Sequence, residues 1–242
     1  MKVFLNKISG YAAAIVSLYH SKRSWTREFE QDVYYLERAC TDYSGKLLYD
    51  TSNPDERLQT FNDLLKKVCK VGKKHITLLR FIDFEFTVEG LHRGAQDDFD
   101  AHAKRLDNRI VRSSTRLSEF GAEKSEWYQD KILTLDEAIE ELGKEMPEKI
   151  YRRGVAYVRT TNGYIREDLA DDKDAKRGLY MLSIPSNFTA KCNLTELAHI
   201  VKLRDKNSNA NPELRDMIEQ LLQQIREACP LFTRELFYEI EN

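Results

Sequence analysis

The chain has 242 residues, 41% hydrophobic and 32% charged, with 38 Lys and Arg against 40 Asp and Glu for a formal net charge of −2. These values describe a globular protein able to bury a real core and exclude a disordered or low-complexity chain. A near-neutral balance supplies no global field for nucleic acid or an anionic membrane, so nucleic acid is not expected as a partner and any anion site must be local.

Cys40, Cys69, Cys192 and Cys229 are widely separated, without the paired spacing of a zinc site or the density of a disulfide scaffold, and they read as reduced thiols. Met1 to Ile8 is too short for a secretory leader, and no apolar run approaches the roughly 18 residues that would span a bilayer. The expectation is a cytoplasmic protein without membrane contact.

In chain order, Lys2 to Ile8 reads as a strand and the Ala- and Ile-rich Tyr11 to Tyr19 as a buried helix. Asn53-Pro54 looks like a helix start, followed by Leu58, Phe61, Leu65 and Val68 at helical spacing, with Gly72 as the stop. Ile76 to Val88 reads as one half-buried strand, because Phe84, Phe86 and Val88 alternate with Glu85 and Thr87. Asp97 to Leu117 has a helical face of Phe99, Ala103, Leu106 and Ile110. Thr134 with Glu137, and Asn193 with Glu196, are capping-box pairs opening two more helices. Asn162-Gly163 between two short apolar runs predicts a hairpin with a primed turn. Asn211-Pro212 opens a last helix carrying Leu214, Ile218, Leu221 and Ile225, stopped at Pro230. No repeat or Pro/Gly-rich linker marks a boundary. The expectation is one α+β domain over 1–242, a mixed, mostly antiparallel sheet flanked by helices.

No phosphate-cradling glycine loop, paired-histidine metal motif or serine elbow is present. What remains is arginine placement. On the expected helix Arg105, Arg109, Arg112 and Arg116 fall at i, i+4, i+7 and i+11, one stripe that calls for acidic partners or a phosphate. Ion pairs on a solvated face explain it equally well. Singly, Asn193 is explained by capping, Arg204 by the helix dipole and His75 as a loop residue.

Taken together, these residues resemble the flavin-dependent thymidylate synthase family over His75 to Pro230. His75-Ile76-Thr77-Leu78-Leu79-Arg80, followed by Phe84 and Phe86, is similar to the family's His-x-Ser/Thr-x-x-Glu segment and the strand after it. Arg177-Gly178-Leu179-Tyr180-Met181 resembles its Ala-Arg-x-x-Leu-Pro segment. Asn193, Leu197, His199, Leu203 and Arg204 resemble its Asn-x-Arg-x-Leu-x-His/Asn-x-x-x-Leu-Arg helix, and Ala210, Glu213, Leu214 and Arg215 the continuation. The family's Arg-His-Arg triplet is not retained: the register set by Ser114-Thr115-Arg116 puts Lys104-Arg105-Leu106 there. Arg112, Arg80 and Thr195 replace a family glutamate, glutamate and arginine.

The resemblance implies a homotetramer with FAD between subunits, reductive methylation of dUMP at C5, methylenetetrahydrofolate as carbon donor and NADPH as reductant. It implies that His75, Thr77, Lys104, Arg105, Asn193 and His199 lie along the flavin. Ser114, Arg116, Arg177 and Arg204 would hold the nucleotide, with Arg204 orienting and activating the pyrimidine. Two other readings compete: a diverged relative with another pyrimidine nucleotide or one-carbon chemistry, such as hydroxymethylation, and a non-catalytic nucleotide- or RNA-binding protein using the arginine stripe.

Overall fold

The computed structural model describes residues 1–48, 55–102, 109–112, 126–143, 145–172, 175, 185–205 and 208–240, and the architecture below is that of these residues. β1 (Lys2–Ser9) leads to α1 (Tyr11–Ser21), α2 (Arg27–Cys40) and α3 (Glu56–Gly72). A 3-10 turn (Ile76–Phe81) precedes β2 (Asp83–His92), α4 (Arg93–His102) and β3 (Arg109–Arg112). After a second 3-10 turn, Glu126–Tyr128, come β4 (Ile132–Thr134), α5 (Leu135–Leu142), β5 (Lys149–Arg152), β6 (Val155–Thr160) and β7 (Gly163–Arg166). β8 (Pro185–Asn193) runs directly into α6 (Leu194–Arg204), followed by α7 (Pro212–Ala228) and α8 (Arg234–Ile240).

The strands form two four-stranded sheets, ordered β1-β2-β8-β3 and β4-β7-β6-β5, and every described pairing is antiparallel. This is the expected α+β class. In the first sheet Phe84, Phe86 and Val88 of β2 point into the core beside Phe188, Ala190 and Cys192 of β8. Helices cover that face, and Phe99 of α4 meets Phe86 and Phe188 edge-on and tilted. On the opposite face Lys191 bonds Glu85 at 2.9 Å and Thr87 bonds Thr189 at 3.1 Å. Alternation by two therefore makes one face apolar and the other wet.

The second sheet has its own small clusters, one around Tyr128, Ile132 and Ile165, the other around Leu133, Tyr157 and Tyr164. The turn before it ties it to the rest of the chain: Trp127 Nε1 donates to Asp216 of α7 at 2.7 Å, and Tyr128 packs edge-on against His92 at 4.8 Å.

Both expected capping boxes form, at Thr134/Glu137 and Asn193/Glu196. Asn211 caps α7, with Pro212 in its first turn. Asn53 and Pro54 lie outside the described residues, and Asp55 caps α3.

Three expectations are corrected. Ile76 to Val88 is not one strand: Ile76–Phe81 forms a 3-10 turn that buries the consecutive Leu78 and Leu79, which the alternation of a half-buried strand would not do, and seats Leu79 over Gly72, where a β-carbon would come within 2.4 Å of Leu79 Cδ2. Asp97 to Leu117 is not one helix either. α4 starts at Arg93 and ends at His102, and Arg109–Arg112 pairs instead with β8 in the register Arg109↔Lys191 to Arg112↔Phe188. Arg109 and Arg112 thus lie on a strand instead of at helical spacing, and Arg105 and Arg116 lie outside the described residues. Lastly, the β6–β7 hairpin exists but turns at Thr161-Asn162, since Gly163 already pairs with Thr160. Neither turn residue has positive φ. The primed turn is at Arg153-Gly154, between β5 and β6, where φ is 49° and 79°.

Candidate active site

Backbone pairing first joins two segments far apart in sequence. Asp83 pairs with Asn193, and Leu194 N–H donates to the Ile82 carbonyl at 2.8 Å. The 3-10 turn after His75 is thereby set beside the N-terminus of α6, against which it packs. The end of the same turn also lies close against Gly10, before α1: with φ 88°, a β-carbon there would be 1.8 Å from the Phe81 carbonyl oxygen.

His75 and Thr77 are both exposed on this turn, with Ile76 and Phe81 41% and 44% exposed beside them. Asn193, in contrast, is buried. Its Oδ1 accepts from Thr195 N–H at 3.0 Å, Glu196 N–H at 3.1 Å and the Thr195 hydroxyl at 2.6 Å. That oxygen is committed to starting the helix, and Glu196 completes the box by accepting from Asn193 N–H at 3.2 Å.

At the far end of α6, eleven residues and about 16 Å away at 1.5 Å per residue, stands Arg204. It is half-buried, and its Nε is buried with no hydrogen-bond partner among the described residues. Burial lowers its pKa, while the Asp98 carboxylate on α4 acts in the opposite sense. A guanidinium with an unmet buried donor, facing one acid across two packed helices, is poised for an anionic or carbonyl-bearing ligand. His199, at mid-helix, is half-buried near Lys202 and the exposed Leu203.

The structure thus places His75, Thr77, Asn193, His199 and Arg204 along one helix and the turn beside it. Lys104, Arg105, Ser114, Arg116 and Arg177 lie outside the described residues. Among the described residues no group of His, Cys, Asp and Glu is arranged to hold a metal ion, and no helix is long and apolar enough to cross a membrane.

Sequence reasoning missed a buried polar cluster behind the site. His92, Asn211 and Glu213 are at most 1% exposed. His92 caps α4, since Ala95 N–H donates to its Nε2 at 3.0 Å, and its Nδ1 is in very short contact with Glu213 Oε2. Because Nε2 accepts, Nδ1 carries the proton given to Glu213. Two helix N-termini are locked together this way. The signal in the sequence was a histidine at the junction of an alternating strand and a helical run, a position that also suits an ordinary surface residue.

The family model for the thymidylate synthase complementing protein matches residues 24–231. A curated-protein search finds no significant match. Among solved structures, the chain resembles the flavin-dependent thymidylate synthase of Helicobacter pylori complexed with FAD and dUMP, at 15% identity, 99% coverage of each chain and a TM-score of 0.50. It also resembles a UMP/dUMP methylase of Streptomyces cacaoi bound with 5-Br dUMP, at 16% identity, with 98% of this chain and 94% of that one covered and a TM-score of 0.52. At such identities the likeness is one of fold. With the family match spanning most of the sequence, the chain belongs to the thymidylate synthase complementing protein family, that of the flavin-dependent thymidylate synthases.

Proposed function

We propose that the chain methylates a pyrimidine nucleotide at C5, with dUMP as substrate, methylenetetrahydrofolate as carbon donor, FAD as cofactor and NADPH as reductant. The observation that carries this reading is Arg204, a half-buried guanidinium whose buried Nε has no hydrogen-bond partner among the described residues. Such a group suits negative charge developing on a uracil ring, which it would stabilise as a pre-oriented donor. Support comes from the solved structures of like fold, one complexed with FAD and dUMP and the other bound with 5-Br dUMP.

Flavin, when bound, supplies the hydride that completes methyl formation. The exposed turn fits such a group: His75 and Thr77 offer hydrogen-bonding side chains and Ile76 and Phe81 apolar surface, on a turn that packs against α6. In this reading His75, Thr77, His199, Lys104 and Arg105 hold the cofactor, and Asn193 contributes by fixing the start of α6. Ser114, Arg116, Arg177 and Arg204 hold the nucleotide, in a homotetramer that completes each site from neighbouring subunits.

The test is flavin absorbance of the purified protein, then tritium release from C5-labelled dUMP with NADPH and the folate present. Arg204→Ala is expected to abolish release and weaken nucleotide binding. Intact binding and turnover in that variant would remove the assigned site. Nucleotide binding with a product of hydroxymethyl mass would move the chain to the diverged chemistry.

A further inference from the structure

The last turn of α6 is held by side chains of α7 and α8. Asp205, directly after Arg204, is fully buried and ends the helix, its N–H donating to the Val201 carbonyl at 3.0 Å. Its Oδ2 receives a very short bond from Arg234 Nη1 and a 2.7 Å bond from the Tyr238 hydroxyl, both on α8. Arg234 Nη2 donates to both carboxylate oxygens of Glu219 on α7, at 2.7 and 2.6 Å. One guanidinium thus connects α6, α7 and α8 where Arg204 emerges.

An ion cluster of this kind contributes less to net stability than an apolar contact of equal volume, but its fixed bond directions allow a single arrangement. Successive helix positions are about 100° apart around the axis. With Asp205 turned toward α8, the side of α6 carrying Arg204 is turned toward α4 and Asp98. A small rotation of the last turn would swing the long Arg204 side chain through a wide arc.

We propose that Arg234 and Tyr238, with Glu219 bracing Arg234, are positioning residues that hold Asp205 and thereby aim the Arg204 guanidinium at the nucleotide. This rests on reading Arg204 as the group that orients the nucleotide. Arg234 and Tyr238 touch no reacting atom; they act through the end of the helix.

The experiment uses full-length Tyr238→Phe, which removes one oxygen, and Arg234→Lys, which keeps the charge but not the fork. Two readouts are followed. The first is the ¹⁵Nε–Hε resonance of Arg204 in ligand-free protein, assigned by its loss in Arg204→Ala; the second is dUMP affinity by calorimetry. Both variants are expected to shift or broaden the resonance and weaken dUMP binding on the order of tenfold, the lower end of the loss of one hydrogen bond to a charged group. In an Arg204→Ala background, Tyr238→Phe should weaken binding no further, because its effect passes through Arg204. An unmoved resonance with wild-type affinity in both variants overturns the proposal. So does an equal loss with and without Arg204. If the wild-type protein bound no dUMP while the resonance still moved, the positioning role would stand and the nucleotide reading would fall.

Discussion

Replacing Asn193 separates two roles that one side chain was expected to combine. Its Oδ1 accepts two backbone N–H groups at the start of α6, at 3.0 and 3.1 Å, in a site 3% exposed. Loss of an N-cap costs about 1–2 kcal/mol, and leaving a buried N–H without a partner adds about 1–3 kcal/mol. Asn193→Ala should therefore cost about 2–5 kcal/mol, which for a chain of this size lowers Tm by roughly 4–20 °C. Asn193→Ser keeps a capping oxygen and should lose only about 1 kcal/mol. The assay is urea unfolding followed by circular dichroism, with the flavin content of each folded variant measured in parallel. Serine should retain both stability and flavin. If alanine lost less than about 0.5 kcal/mol while serine lost its flavin, the side chain would be a ligand group and the capping argument would be wrong.

Other outcomes follow from the same coordinates. Arg204→Ala should leave the unfolding midpoint unchanged or slightly raised, because it removes a desolvated donor without a described partner; a loss above about 2 kcal/mol would mean that Arg204 is structural. Burial pushes the thiols of Cys69 and Cys229 up to about 12 and about 11, with Cys192 also raised. An acid whose folded pKa is raised stays protonated when the unfolded chain has released its proton. Stability should therefore hold below the unfolded thiol value near 9.0 and decline as pH rises through the window toward 11–12, readable by denaturant titration at stepped pH. A thiol reagent at pH 8 should label all four cysteines after unfolding and react only slowly with the native chain. Arg153→Asn should stabilise by about 1 kcal/mol, since asparagine tolerates the left-handed φ of 49° that arginine now holds at the primed turn; a lower melting point would show that Arg153 makes contacts outweighing its strain.

The sequence by itself determined the parts of this protein governed by neighbours along the chain. The capping boxes at Thr134 and Asn193, the Asn211-Pro212 helix start and the alternation of Phe84, Phe86 and Val88 were legible because each depends on residues a few positions apart. Local signals were also present for α2, where Thr26 caps and Phe29, Val33, Leu36 and Cys40 recur at helical spacing, although that helix was not expected. Only the tertiary structure decided that Leu78 and Leu79 are both buried, turning an expected strand into a 3-10 turn, and that Arg109 to Arg112 pairs with β8 instead of continuing a helix. In both cases contacts remote in sequence outweighed a weak local periodicity. The site divides along the same line. The family's motif order singled out Arg204 as a candidate, but its buried Nε without a partner among the described residues, the acid facing it from α4 and the Asp205–Arg234 brace arise from four helices meeting in space, and no spacing along the chain encodes where those helices end relative to one another.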